Sequence, residues 1–351
     1  MDGAAGDAFD LVRQLGERRK IAADPSLSLV ERLEAYEDIF DSEVGDTSLV
    51  RARNIERNVG LRQIYLKFEG GNPNGTQKDR IAFAQVMDAM RRGFDTITLA
   101  TCGNYGAAVA LAAGLAGLQC RIYIPLHYHA KRISEMKGLS ARIERVAGDY
   151  EKAVAVSAAE AQKNDWYDAN PGSGNRDLQM KAYGEIAYEI YDELRDAPFA
   201  LSVPVSNGTT LAGIYRGFLS LHRRGKTSRM PRIVAGSSYK KNPIVRAFLA
   251  NCATCEDLNP EKIHETSINE PLINWHSLDG DTALEAIRGT HGWASDASDN
   301  AMKTYSRLIR EKEGLQVLPA STAGLIALMN RHRRQALPSD RYVVVLTGRK
   351  P

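Results

Sequence analysis

The feature that most restricts the fold of this chain is a regular alternation of strand-like and helix-like segments. Runs rich in β-branched and apolar residues lie at Gln63–Phe68, Thr96–Leu99, Cys120–Ile124, Arg142–Val146, Ala200–Val205, Arg232–Ala235 and Tyr342–Leu346. Between them the apolar spacing predicts helices at Arg80–Arg92, Tyr105–Leu115, Tyr150–Asn164, Tyr183–Glu193 and Thr210–His222, after a charged, helix-prone leader from Asp7 to Phe40. Strand, helix, strand in succession builds a mostly parallel sheet covered on both faces, so the expected class is α/β. Sheets of this kind take ligands at the carboxyl ends of their strands. The pattern is weakest from Asn251 to Ser295, where loops are expected.

At 351 residues the chain exceeds the usual single domain, and two lobes or one large α/β unit are expected. Lys+Arg 46 against Asp+Glu 43 leaves a formal charge of +3, too balanced for a nucleic-acid surface. The opening residues Met1–Asp7 are acidic and lack the basic-then-apolar order of a signal peptide. The longest apolar run, Ala107–Leu118, is too short to cross a bilayer. A cytoplasmic protein without membrane partners is therefore expected. Four cysteines do not make a disulfide framework in a chain of this length. Cys252 and Cys255 have the spacing of a metal or redox pair, but a structural zinc site needs two more ligands and only His264 lies nearby. Two thiols in a loop is the better reading, and no metal is expected.

Three strand-to-helix turns carry the chemistry. The first, Asn72–Arg80, follows the strand-like run Gln63–Phe68 and places Lys78 at the start of a helix; its primary amine is suited to Schiff-base chemistry. A Lys-Asp-Arg run at a helix start is more often a solvated, charge-paired end, so the lysine proves little alone. The second, Ala100–Gly106, offers backbone N–H groups to an anion such as a carboxylate, and equally reads as a tight turn in which Gly103 and Gly106 permit close packing. The third, Pro204–Gly213, has small polar residues ahead of a helix, a pattern suited to a phosphate. It holds no Lys and no Gly-Lys-Ser/Thr, which excludes an ATP-type loop, and neither of the last two turns shows Gly-x-Gly-x-x-Gly. A hydrolase reading lacks its Gly-x-Ser-x-Gly elbow.

Taken in order and at these separations, the turns resemble the pyridoxal-phosphate enzymes of the tryptophan synthase β-subunit fold (fold type II), in particular the threonine synthase branch. Asn72–Arg80 is similar to Asn-Pro-Thr-Gly-Ser-Phe-Lys-Asp-Arg, with Asn74, Thr76 and Gln77 as departures. Cys102–Ala108 resembles Ser-Gly-Asn-x-x-x-Ala, and Pro204–Thr210 resembles Pro-Val-Gly-Asn-Gly-Gly-Asn with Ser206 in place of a glycine. Pro319–Leu325 resembles a Glu-Pro-Ala-Ser-Ala-Ala run whose glutamate is Leu318 here, and Val344–Gly348 resembles a Leu-Thr-Gly strand end. The likeness spans about residues 45 to 350.

The resemblance implies two lobes, each a mostly parallel sheet flanked by helices: residues 1–85 with 190–351 as the larger, cofactor-binding domain and 86–189 as the smaller, substrate-gripping one. It implies pyridoxal 5′-phosphate as cofactor, held as a Schiff base by Lys78, which then serves as base at the substrate α-carbon. Asn104 is implied to bond the cofactor's phenolic oxygen. Thr101, Cys102, Gly103, Asn104 and Tyr105 would grip the substrate carboxylate, and Ser206, Asn207, Gly208, Thr209 and Thr210 the cofactor phosphate. Thr347 would face the pyridine nitrogen, where a neutral hydroxyl does not hold the ring protonated and so favours elimination and replacement over transamination. Thr347 also reads as a plain strand-end cap, and Ser321 as the first turn of a helix.

Threonine synthases act on O-phosphohomoserine and read its phosphate through an Asn-Ser-x-Asn-Pro-x-Arg-x-Glu-Gly-x-Lys-Thr stretch. Here the region is Asp168–Arg176, which keeps Asn170, Pro171 and Arg176 but not Gly-x-Lys-Thr. Ser173, Asn175 and Arg176 still suit an anionic substrate group. The resemblance thus implies a lyase or synthase of threonine synthase type in amino-acid biosynthesis, acting on a small amino acid, commonly as a homodimer. Its rivals are a β-replacement synthase acting on O-phosphoserine or another serine ester and a serine/threonine ammonia-lyase; a pseudoenzyme on the same fold would be expected to have lost Lys78.

Overall fold

A computed structural model of the protein describes residues 15–101, 103–126 and 132–350. Among the described residues ten strands run in chain order: β1 (Leu49–Arg51), β2 (Ile64–Phe68), β3 (Thr96–Ala100), β4 (Gln119–Pro125), β5 (Arg142–Val146), β6 (Tyr167–Asp168), β7 (Ala200–Pro204), β8 (Arg232–Ser238), β9 (Trp293–Ala297) and β10 (Tyr342–Leu346). Helices separate most of them, which makes the class α/β as the alternation predicts. Two compact units result, one from the segments ending at Gly45 and Asn72–Ala182, the other from Asp46–Gly71 and Tyr183–Lys350.

The first unit contains a four-stranded, wholly parallel sheet in the order β5-β4-β3-β6, with Leu99 opposite Ile122 and Ile97 opposite Tyr167. After β3, helix Asn104–Ala116 is built almost wholly of Ala, Gly, Val and Leu, and nearly every residue is buried. Small side chains let helix Lys78–Arg91 pack closely along it. On another side of the same helix, a Cβ on Gly106 would lie 2.6 Å from Thr101 Cγ2 and 2.8 Å from Met136 Cε. A third helix, Leu29–Glu43, begins with a capping box in which Ser28 and Glu31 bond each other's backbone N–H. Its Tyr36 and Phe40 rings lie 6.0 and 5.8 Å from the Phe83 ring, and Arg32 Nη2 donates to the Ala116 carbonyl at 3.2 Å.

These contacts place the leader helices and Lys78–Arg91 with residues up to 182, whereas the sequence expectation grouped 1–85 with the C-terminal part. The cause is the leader's own apolar stripe, Ala35, Tyr36 and Ile39, which needs the face that helix Lys78–Arg91 offers. The part of the leader before residue 15 lies outside the described residues.

In the second unit, a six-stranded sheet has the order β1-β2-β10-β7-β8-β9 and is parallel except for the pair β1 and β2. All five residues of β7 and of β10 are buried, as expected of strands covered on both faces. Helix Ala323–Arg334 lies on β7, β8 and β9. It comes so close that a Cβ on Gly236 would fall 2.0 Å from the Ala323 carbonyl oxygen, and Trp293 Nε1 donates to the Ala327 carbonyl at 3.1 Å.

The stretch from 251 to 295 is not all loop as expected. It ends in helix Gly280–Gly289 and the first residues of edge strand β9. The β9 sequence, Trp-Ala-Ser-Asp-Ala, has no β-branched residue, and pairing with β8 overrides that weak propensity. Among the described residues, no helix is long and apolar enough to cross a membrane.

Candidate functional site

Lys78 opens helix Lys78–Arg91 directly after a tight turn. Gly75, at φ +78, makes the turn possible, and its N–H bonds the Asn72 carbonyl at 2.7 Å. Asn74 then straps turn to helix: its backbone N–H donates to Asp79 Oδ2 at 2.9 Å and its Nδ2 to Asp79 Oδ1 at 2.8 Å. Thr76 Oγ1 accepts the Lys78 backbone N–H at 3.2 Å. Asp79 and Arg80 are buried while Lys78 is half-buried, so the flanking charged side chains are fixed inside. Lys78 Nζ lies 5.8 Å from the centre of the Tyr105 ring. Burial pushes the Asp79 carboxyl up to about 6, against the lowering effect of the Asn74 bonds and the Arg132 charge. The burial of Asp79 and Arg80 does not fit a wholly solvated, charge-paired helix end.

The turn after β3 is held in the same unit. The Thr101 N–H bonds the Tyr123 carbonyl at 3.2 Å, and Gly103 caps the helix that Asn104 begins. Cys102 lies outside the described residues. Asn104 Oδ1 accepts from Arg132 Nη1 at 2.8 Å, and Arg132 is itself gripped by Glu135 through two bonds of 2.6 Å. The Tyr105 hydroxyl points inward, donating to the Ala169 carbonyl at 2.8 Å and accepting from Gln85 Nε2. Neither Arg132 nor Glu135 nor Gln85 was singled out in the sequence. The available signal was the Arg132–Glu135 pair at i, i+3, an ordinary surface-helix spacing.

Around the expected anion-reading stretch, the side chains are already engaged with their own unit. Asn175 Nδ2 donates to Gln85 Oε1 at 2.5 Å and to the Asp168 carbonyl at 2.9 Å, and Asn175 is only 6% exposed. Ser173 Oγ donates to the same Asp168 carbonyl at 3.2 Å. Asn170 closes the end of β3, accepting the Ala100 N–H at 2.7 Å. Arg176, half-buried, begins helix Arg176–Leu194.

The second unit carries the phosphate-type turn between β7 and helix Thr209–Arg223, whose first N–H groups have no side-chain cap. Gly208 sits at φ +91, and a Cβ there would meet the Asp279 carbonyl at 2.9 Å. Ser206 presents its carbonyl inward to Asn242 Nδ2 at 3.0 Å and Ser277 Oγ at 3.2 Å. Asn207 Oδ1 accepts from Asn274, and Thr209 Oγ1 donates to Asp279 Oδ2 at 2.5 Å. The Thr209 hydroxyl and Asn207 oxygen are thus tied to the 274–279 segment, while Ser206 and Thr210 are half-buried at the rim. Thr347, just past β10, lies 3.1 Å from Ser321 Oγ. Ser321 is fully buried and accepts the Gly348 N–H at 3.1 Å, so it is more than a helix's first turn.

A family model described as pyridoxal-phosphate dependent enzyme matches residues 40–348. The chain belongs to that family. Threonine synthase from Methanocaldococcus jannaschii is 27% identical over 305 residues, covering 86% of this chain and 74% of that protein. Threonine synthase from Bacillus sp. is 29% identical over 310 residues, covering 87% and 82%. The fold is also that of maize serine racemase (TM-score 0.75, 18% identity, 91% of this chain and 92% of that one) and of threonine deaminase isoform 2 from Solanum lycopersicum (0.72, 14%, 94% and 92%).

The residues present suit the pyridoxal-phosphate dependence of the family. The first unit supplies a half-buried primary amine at Lys78 and the fixed amide of Asn104. The second supplies a helix N-terminus, at Thr209, whose first N–H groups have no side-chain cap, donors of the kind a phosphate takes. Cys252 and Cys255 lie in the loop before Gly280, where burial and the neighbouring Asp281 carboxylate push the Cys255 thiol up to about 12. A thiol held protonated is a poor nucleophile or metal ligand.

Proposed function

We propose that this enzyme eliminates a phosphate or similar leaving group from an activated amino acid and adds a nucleophile in its place, a reaction of threonine synthase type. The observation that carries the reading is the strapped Lys78 turn, in which Asn74 and Asp79 fix the helix start that bears the half-buried Lys78. Relatives named threonine synthase over more than four-fifths of the chain support it.

Pyridoxal phosphate, when bound, supplies an electron sink for a carbanion at the substrate α-carbon. The protein's part is placement and proton transfer. Lys78 Nζ would hold the cofactor, and the same amine would serve as the base for the substrate α-proton. Asn104 donates to the cofactor's phenolic oxygen, and Thr101 to Tyr105 orient the substrate carboxylate with backbone N–H groups at the start of helix Asn104–Ala116. Ser206 to Thr210 hold the cofactor phosphate. Thr347, bonded to Ser321 Oγ, would offer a neutral hydroxyl to the pyridine nitrogen.

A second reading is favoured by the Asp168–Arg176 stretch. Asn175 and Ser173 are engaged with Gln85 and Asp168, so two of the three residues expected to read a substrate anion are bonded within their own unit. A serine ester with an uncharged group, such as O-acetylserine, asks less of an anion-reading stretch, so β-replacement on a serine ester, O-phosphoserine included, is the alternative, with serine/threonine deamination behind it.

The experiment is a substrate panel of O-phosphohomoserine, O-phosphoserine, O-acetylserine, serine and threonine, read by phosphate, acetate or keto-acid release. Phosphate release with threonine formation from O-phosphohomoserine alone supports the first reading. A response confined to the serine esters replaces it with β-replacement, and keto acid from serine or threonine replaces both with deamination.

A further inference from the structure

Arg132 occupies an unusual place for a residue beside a short surface helix. It is 13% exposed, and its partner Glu135 7%. Glu135 accepts from Nε and Nη2, both at 2.6 Å, which fixes the plane of the guanidinium. The remaining nitrogen, Nη1, donates to Asn104 Oδ1 at 2.8 Å.

A guanidinium has five N–H donors and no acceptor, whereas an amide has one acceptor end and one donor end. The end of Asn104 that faces Arg132 must therefore be the oxygen, and the NH2 end must face the other way. A phenolate-type oxygen on a ligand needs that donor end. We propose that Arg132 is a positioning residue: clamped by Glu135, it holds the Asn104 amide in the single orientation that presents Nδ2 to the phenolic oxygen of pyridoxal phosphate. This rests on the role proposed above for Asn104.

Without Arg132, the Asn104 amide rotates between two orientations, one of which turns its oxygen toward the ligand oxygen. Cofactor affinity falls and the absorption of bound cofactor, which reports hydrogen bonding at that oxygen, shifts. Arg132 touches neither cofactor nor substrate in this account, so its whole effect passes through Asn104.

The test is a double-mutant cycle on the full-length protein with Arg132→Met, Asn104→Ala and the combined variant, measuring the dissociation constant for pyridoxal 5′-phosphate, the absorption band of the bound cofactor and the melting temperature of cofactor-free protein. Arg132→Met is expected to weaken binding about tenfold and shift the band in the wild-type background. In the Asn104→Ala background it should change neither. An equal loss of affinity in both backgrounds makes Arg132 a fold element and overturns the proposal. So does an unchanged affinity and band in Arg132→Met where Asn104→Ala alone weakens binding. If Asn104→Ala changes nothing, the role of Asn104 fails and the proposal with it. Should Arg132→Met not fold, Arg132→Lys, which keeps the charge but not the fork, is carried through the same cycle with the same signs expected.

Discussion

Ser321 Oγ lies 3.1 Å from Thr347 Oγ1 and takes the Gly348 N–H at 3.1 Å, so a buried hydroxyl fixes the rotamer of the one half-buried at the end of β10. Replacing Thr347 by Asp introduces a carboxylate where the account places the pyridine nitrogen. The variant is expected to hold that nitrogen protonated and to convert a fraction of the cofactor to pyridoxamine phosphate during turnover, measured by chromatography of released cofactor. Absence of any pyridoxamine phosphate, with catalysis unaffected, would remove Thr347 from the site.

Gly208 combines φ +91 with a virtual Cβ only 2.9 Å from the Asp279 carbonyl. Gly208→Ala strains both backbone and contact, so stability should drop by roughly 1–3 kcal/mol and pyridoxal phosphate should bind at least tenfold more weakly. Urea unfolding and cofactor titration report the two effects separately. Full affinity in a folded variant would argue against this turn as the phosphate site.

The Asp79 carboxyl is raised in the folded state to about 6 from 3.8. The folded protein therefore holds a proton that the unfolded chain releases, and stability attributable to this group is complete below pH 3.8 and lost as pH rises to about 6. A shift of this size in a buried group corresponds to roughly 3 kcal/mol. Asp79→Asn should abolish that slope: the difference in urea midpoint between wild type and variant moves in the variant's favour between pH 4 and 6 and stays constant from pH 7 to 8. A difference that does not vary with pH would place the ionisation elsewhere.

Asn175 links Gln85 Oε1 and the Asp168 carbonyl inside the first unit. Asn175→Ala is expected to lower stability by about 1–3 kcal/mol with little change in KM, because buried partners lose their bonds. A large rise in KM with unchanged stability would restore the role that its sequence context suggests.

Much of the fold was legible because period and propensity agreed. Arg142–Val146, Tyr150–Asn164 and Tyr342–Leu346 form the elements expected of them, residue for residue. What was hidden depended on tertiary contact. The pairing of β9 with β8, and the seating of Tyr36 and Phe40 on Phe83, join residues that no local pattern connects. Among the candidate site residues, Lys78, Asn104 and Gly208 stood out through motif and turn chemistry. Arg132 did not, since its meaning lies in a bond to Asn104 across 28 positions.

The most direct measurement is borohydride reduction of the protein loaded with pyridoxal phosphate, followed by peptide mass mapping. The account predicts a pyridoxyl group on Lys78 alone, and none on Lys67, which is 1% exposed and paired with Glu189 at 2.5 Å. A label on another lysine, or a Lys78→Ala protein that is still labelled and still turns over substrate, would contradict it.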